Sequence, residues 1–342
     1  MAKIMTSSVL TPTTVIGAGA WGSALAIAIA RNGHEVLLWG RDAGHVEAMQ
    51  QSHSNERYLP KVSFPVSLEV IKSLEQAVSQ AKHVLISVPS AAFADMLYLM
   101  KPFLPSGVPV SWATKGFTPE TGRFLYDTAA DILGDEHPLA IISGPSFAME
   151  VAKDLPTAIT VASKDTGFFQ DLAKAMHRPT LRIYTTTDIQ GVQVGGAVKN
   201  ILAIGAGISD GLGYGANARA ALITRGMSET LRLALSLGAE TETMIGLSGI
   251  GDLILTCTDD QSRNRQLGLA IGRGMTVEQA VIEVGKTVEG VHAAREVLIR
   301  AKQAGIEMPI VEQVYKVLFE NAVPRQAVQA LLCREQKAEI EH

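Results

Sequence analysis

The sequence predicts the α/β class: an N-terminal doubly wound sheet followed by an all-α C-terminal domain. Three observations carry this. From Thr13 to about Thr185, short β-branched runs alternate with segments of helical period, the pattern of a parallel sheet covered by helices. After Asp188 those runs stop, and long apolar-periodic segments separated by Gly-containing turns take over. The chain has 342 residues, 47% of them hydrophobic, enough for two cores at roughly 100 to 200 residues each. The expected division is 1–188 and 189–342.

In chain order, the first part is expected to place strands at 13–16, 35–39, 83–88, 108–113, 139–142, 158–162 and 181–184. Helices are expected at 21–31, 43–52, 68–79, 91–100, 122–133, 146–153 and 165–176. In the second part, Asn217 is placed to cap a helix that reaches Leu237, with Gly238 behind it. Thr276 and Gln279 have capping-box spacing ahead of a helix that stops near Gly285. Further helices are expected at 289–304, 309–321 and 324–333, the last two opening on a proline whose missing N–H does no harm there. The polar tail after Arg334 is expected to fray.

Composition removes several classes. Thirty Lys and Arg against 34 Asp and Glu leave a net charge of -4, with no basic stripe for nucleic-acid phosphates. Cys257 and Cys333 lie far apart without the spacing of a metal site; both read as small core hydrophobes in a reduced, cytoplasmic protein, with no metal expected. Thr6, Ser7 and Ser8 interrupt any apolar leader, and Lys199 and Asn200 break the longest apolar stretch, so neither export nor stable membrane insertion is expected.

The chemistry begins at Gly17-Ala18-Gly19-Ala20-Trp21-Gly22, which follows the first strand and opens a helix. In that context G-x-G-x-x-G is a Rossmann dinucleotide turn. Gly17 allows the tight turn, Gly19 the approach of a pyrophosphate, and Gly22 close helix–strand packing, with the helix N-terminus supplying free N–H groups. A turn without a ligand is the alternative. The second strand ends in Gly40-Arg41 rather than in a carboxylate, and Arg41 suits a 2′-phosphate, so NADP is expected to be preferred with NAD accommodated. A solvated arginine beside Asp42 is the competing explanation.

For the reacting end, Lys199 lies on a helix apolar on nearly every face, with Gly195 and Gly196 leaving room beside it for a ligand or another backbone. Burial would lower its pKa and make it a competent acid and base; otherwise it snorkels from a core helix. Lys115 follows a strand at the carboxyl edge where open sheets bind ligands, and Gly144-Pro145-Ser146 sits at the next such edge as a backbone anion site or a plain turn. Asp252, after Gly249-Ile250-Gly251, either caps a helix or faces Lys199. Ser262-Arg263-Asn264-Arg265, at a helix start, suits a phosphate monoester, or is a solvated charge run.

Taken together, Ala113-Thr114-Lys115-Gly116, Ser143-Gly144-Pro145-Ser146-Phe147-Ala148, Ala197-Val198-Lys199-Asn200, Gly249-Ile250-Gly251-Asp252-Leu253 and Ser262-Arg263-Asn264 occur in order. With the glycine turn, and over nearly the whole chain, they resemble the bacterial-type NAD(P)-dependent sn-glycerol-3-phosphate dehydrogenases. The resemblance implies reversible reduction of dihydroxyacetone phosphate to sn-glycerol 3-phosphate, the backbone precursor of phospholipids. It further implies Lys199 as proton carrier, with Lys115, Gly144, Ser146, Asp252, Ser262, Arg263 and Asn264 at the substrate. Trp21, Arg41, Lys115, Ala148, Arg263 and Glu289 would contact the dinucleotide. Ala20 replaces a Ser and Thr287 a Val or Ile common in that family. A homodimer is also expected. A β-hydroxyacid dehydrogenase acting on a carboxylate, and a non-catalytic NAD(P)-binding sensor, are the other readings.

Overall fold

The computed structural model describes residues 10–285 and 288–334; the expectations for the leader, for Thr287 and for the tail lie outside the described residues. The first part runs β1 (Thr13–Ile16), α1 (Ala20–Ala30), β2 (Val36–Trp39), α2 (Ala43–Ser52), β3 (Leu68–Ile71), α3 (Leu74–Ser79), β4 (His83–Ile86) and α4 (Phe93–Met100). It continues with β5 (Val110–Trp112), α5 (Leu125–Leu133), β6 (Leu139–Ser143), α6 (Ala148–Ala152), β7 (Thr157–Ser163), α7 (Thr166–Met176) and β8 (Leu181–Thr186). The eight strands lie in the order β3-β2-β1-β4-β5-β6-β7-β8. Thr13 sits opposite Val36 on one side and His83 on the other, so the order reverses at β1 and β4. Ligands bind open α/β sheets at such a reversal.

Among the described strands, only β6 and β7 pair antiparallel. The helix between them has five residues, spanning roughly 7 Å where a strand of that length spans roughly 16 Å, and the chain re-enters the sheet in the opposite direction. The helix expected over 68–79 is corrected: Leu68–Ile71 is an edge strand paired with β2, and the helix starts only at Leu74, capped by the Ser73 hydroxyl. Val70 and Ile71 are β-branched and buried while Glu69 faces solvent; pairing with β2 outweighs the helical period. Two other starts shift inward, to Leu125 and Ala148.

The second part consists of α8 (Ile189–Gly211), α9 (Gly215–Ser236), α10 (Thr241–Met244), a π-helical turn (Leu247–Gly251), α11 (Asp252–Thr258), α12 (Arg263–Gly272), α13 (Val277–Val284), α14 (Glu289–Ala304), α15 (Pro309–Phe319) and α16 (Pro324–Leu332). The capping box of Thr276 and Gln279 forms, and α13 ends at left-handed Gly285. Asn217 is not the cap of α9: that helix starts at Gly215, behind Tyr214, without a side-chain cap. Cys257 is buried as expected, but Cys333 is exposed at the end of α16.

α8 is the axis of the helical core. Asp188 starts it by accepting from the Gly191 N–H at 2.8 Å and, with its other oxygen, from the Glu240 N–H at 2.9 Å. By length and composition α8 could cross a membrane, yet its most apolar window is wholly buried inside the protein. Its contact with α12 is backbone on backbone. A Cβ on Gly207 would overlap the Arg265 carbonyl, one on Gly268 the Ile204 carbonyl, and one on Gly211 would lie 2.9 Å from the Gly272 Cα. Phe117 and Phe124, from the loop after β5, belong to the helical core and not to the clusters flanking the sheet.

Candidate active site

At the sheet reversal the chain leaves β1 through Gly17, whose φ of +115° only glycine holds without strain and whose Cβ would overlap the Ser87 carbonyl after β4. A Cβ on Gly22 would overlap the Gly17 carbonyl, so α1 packs directly on the turn. Gly19 differs: nothing lies within 4 Å of the position of its Cβ. It is the N-cap of α1, with no side-chain cap and no acid in the first turn, so no capping side chain occupies the helix-end N–H groups. Trp21 is half-buried, and its indole N–H has no partner among the described residues. Asn55 braces the turn, donating to the Ala18 carbonyl at 3.0 Å and the Ser23 hydroxyl at 2.7 Å; nothing local in the sequence pointed to it.

Arg41 is exposed just beyond β2. Its neighbour Asp42 is engaged elsewhere, accepting from the His45 N–H at 3.0 Å and pairing with Arg57 at 3.2 Å. Ala148 begins α6, which packs against α1. The open cradle at Gly19, the unpaired indole N–H and the exposed guanidinium are a donor set that fits a dinucleotide phosphate.

Beyond the ends of β5 and β6, three distant segments meet on one carboxylate. Lys199 Nζ donates to Asp252 Oδ1 at 2.5 Å and Lys115 Nζ to Asp252 Oδ2 at 2.6 Å. Asp252 opens α11 but its carboxylate faces the lysines, so the capping explanation fails. Lys199 also donates to the Thr256 hydroxyl at 3.0 Å. Thr256 was not expected, although it stands four residues after Asp252 on one helical face, a spacing that could have revealed it. Gly195 admits the backbone at Ser248, and a Cβ built on Gly196 would lie 3.5 Å from the Lys115 side chain: the glycines before Lys199 let the π-helical turn and Lys115 approach α8.

The electrostatics follow from burial. Desolvation pulls the Lys199 ammonium down to about 8; Asp252 opposes that fall and Lys115 adds to it. Burial pushes the Asp252 carboxyl upward, but the two ammonium groups outweigh it and hold the acid below its ordinary value. With both lysines charged the cluster carries one net positive charge, suited to a polarised oxygen.

Beside the lysines, Lys115 also reaches the Gly144 carbonyl at 3.4 Å, and the Ser146 hydroxyl donates to the same oxygen at 3.1 Å. Ser262 caps α12 by accepting from the Arg265 N–H at 3.3 Å, which leaves its O–H free to donate. The Asn264 amide donates to Asn200 Oδ1 at 2.9 Å and accepts from the Gly290 N–H at 2.9 Å, joining α12 to the residue after Lys199 and to the turn carrying Glu289. The four-residue basic run is not one solvated patch. Arg263 is exposed, whereas Arg265 is buried and tied to Asp210 and, at 3.0 Å, to Asp260.

A doubly wound sheet with an open glycine turn at its reversal, facing a lysine pair bridged by a buried carboxylate, defines a dinucleotide-dependent oxidoreductase. A family model described as NAD-dependent glycerol-3-phosphate dehydrogenase N-terminus matches residues 12–169, and its C-terminal counterpart matches 188–329. The NAD(P)+ glycerol-3-phosphate dehydrogenase of Nitrosococcus oceani is 55% identical over 327 residues, covering 96% of this chain and 95% of that protein. The same enzyme of Idiomarina loihiensis is 53% identical, covering 95% and 98%. The crystal structure of glycerol-3-phosphate dehydrogenase from Coxiella burnetii superposes with a TM-score of 0.93 at 45% identity, over 95% of this chain and all of that one. The chain belongs to the family of NAD-dependent glycerol-3-phosphate dehydrogenases.

Proposed function

We propose that Lys199 carries the proton in the reversible, NAD(P)H-dependent reduction of dihydroxyacetone phosphate to sn-glycerol 3-phosphate, the reaction of this family. When bound, the nicotinamide supplies a hydride to the substrate carbon. As the carbonyl carbon accepts it, the C=O π pair moves to oxygen, and the Lys199 ammonium donates a proton there, leaving a neutral amine that solvent reprotonates. In the reverse direction the amine accepts the hydroxyl proton. Lys115 and Asp252 orient the oxygens and stabilise the charge developing on them. Phosphate would be held by the Ser262 hydroxyl, Arg263 and the first N–H groups of α12, with Asn264, Gly144 and Ser146 completing the substrate wall. The observation that carries this reading is the bridging of both lysines by one buried carboxylate.

Gly17, Gly19, Trp21 and Gly22 are proposed to hold the dinucleotide with Ala148, Arg263 and Glu289, and Arg41 to favour NADP. Residues 1–188 would form the dinucleotide-binding domain and 189–342 the substrate domain, in a cytoplasmic homodimer that supplies glycerophospholipid synthesis. The test is nicotinamide absorbance with dihydroxyacetone phosphate or unphosphorylated dihydroxyacetone, using NADPH and NADH in turn. Rapid oxidation with the phosphorylated ketone alone is expected, with NADPH favoured and Arg41→Asp moving the preference toward NADH. Equal rates with both ketones would remove the phosphate anchor, and an unmoved cofactor ratio would remove the role of Arg41.

A further inference from the structure

We propose that Glu296 is a positioning residue for Lys115, acting through the backbone of the loop that carries it. This rests on the reading of Lys115 given above. The loop leaves β5 at Trp112, yet Phe117 and Phe124, whose rings pack at a tilt with centroids 5.5 Å apart, are buried in the helical core. The lysine is therefore hung between two supports. On the sheet side the Thr114 hydroxyl donates to the Val88 carbonyl at 2.7 Å. On the helical side the Phe117 N–H donates to Glu296 Oε2 at 3.3 Å.

Glu296 lies in the middle of α14 and is 3% exposed. A carboxyl so placed is costly to bury, and the Phe117 N–H is its hydrogen-bonding partner. Burial pushes the group up to about 7, while that N–H opposes the rise. The intervening residue is Gly116, with φ +119°, and Glu296 Oε2 lies 3.5 Å from where its Cβ would be. The carboxyl thus sits against the backbone one residue beyond Lys115. Farther along α14, the Glu296 carbonyl lies 3.2 Å from a Cβ built on Gly122, and the Arg300 guanidinium stands 5.2 Å over the Phe124 ring. At its first turn the same helix donates Gly290 N–H to Asn264. α14 therefore splints both walls of the substrate cleft, and Glu296 is its contact with the Lys115 wall.

The test is a double-mutant cycle. Glu296→Met keeps the volume and removes the acceptor; Glu296→Gln keeps an acceptor oxygen. Each is made in the parent and in Lys115→Ala, with kcat, KM for dihydroxyacetone phosphate and melting temperature measured for all. In the parent, E296M is expected to lower kcat/KM about tenfold, mainly through kcat, the size of one lost hydrogen bond to a buried N–H. E296Q should recover most of that loss, and in K115A the effect of E296M should shrink below about twofold. Equal losses from E296M in both backgrounds, or a loss that E296Q does not relieve, would overturn the proposal while leaving Lys115 in place. A fully active K115A would overturn the role of Lys115 and the proposal with it.

Discussion

The two ends of the cleft are made of different material. At the nucleotide end the turn from Gly17 to Gly22 is shaped by absent side chains: two glycines are required by carbonyls that a Cβ would strike, and the third faces open space. At the reacting end three charged side chains meet from positions 137 and 53 residues apart, and two of them sit in a buried cluster whose charges depend on one another. Shape governs the first and electrostatics the second. Affinity for the dinucleotide and turnover should therefore come apart under mutation.

The sharpest way to separate them is Lys199→Met. It removes the proton carrier and one of the two cations of Asp252, and kcat should fall by about 10³-fold or more, within the range of general acid–base catalysis. The dissociation constant for NADPH, followed by fluorescence, should stay within about twofold; a parallel collapse of affinity would show the two ends to be one coupled unit.

Next comes pH. Lys199 is held at about 8, so ketone reduction, which needs the ammonium, should lose kcat/KM tenfold per unit above about pH 8. Alcohol oxidation needs the amine and should lose it tenfold per unit below that pH. Limbs that bend the same way in both directions would contradict the assignment.

The smallest effect probes the turn itself. Gly19→Ala adds a methyl to open space, so the melting temperature should match the parent while NADPH affinity falls about tenfold, or about 1.4 kcal/mol. Gly22→Ala meets the Gly17 carbonyl and should lower both. If G19A binds NADPH as the parent does, the cradle has been assigned to the wrong glycine.

The same contrast sets what could be read from the sequence. The glycine turn is local: strand, G-x-G-x-x-G and helix follow one another within a few residues, and the structure places them so. The capping box at Thr276 was legible for the same reason. Leu68–Ile71 was not, because what makes it a strand is β2, more than thirty residues away. Lys115, Lys199 and Asp252 were legible as residue types in suggestive settings, but the choice between capping and ion pairing at Asp252 turned on tertiary geometry. Thr256 lay one helical turn past Asp252 and went unread; Asn55 and Glu296 act on backbone groups remote in sequence, and no local pattern marks such contacts. Arg265 looked like a neighbour of the phosphate cluster and is instead buried against Asp210.

The glycine seam between α8 and α12 bears on Asn200 and Asn264, which lie on either side of it. Where two backbones touch, there are no rotamers to melt and no methyl groups to repack. The spacing between the helix of Lys199 and the helix of Arg263 is thus set as a machinist sets a gauge, by solid contact and not by a spring. Warming should loosen the side chains that face the cleft long before it alters that spacing, and the gap should fail only when the helical core fails as a whole.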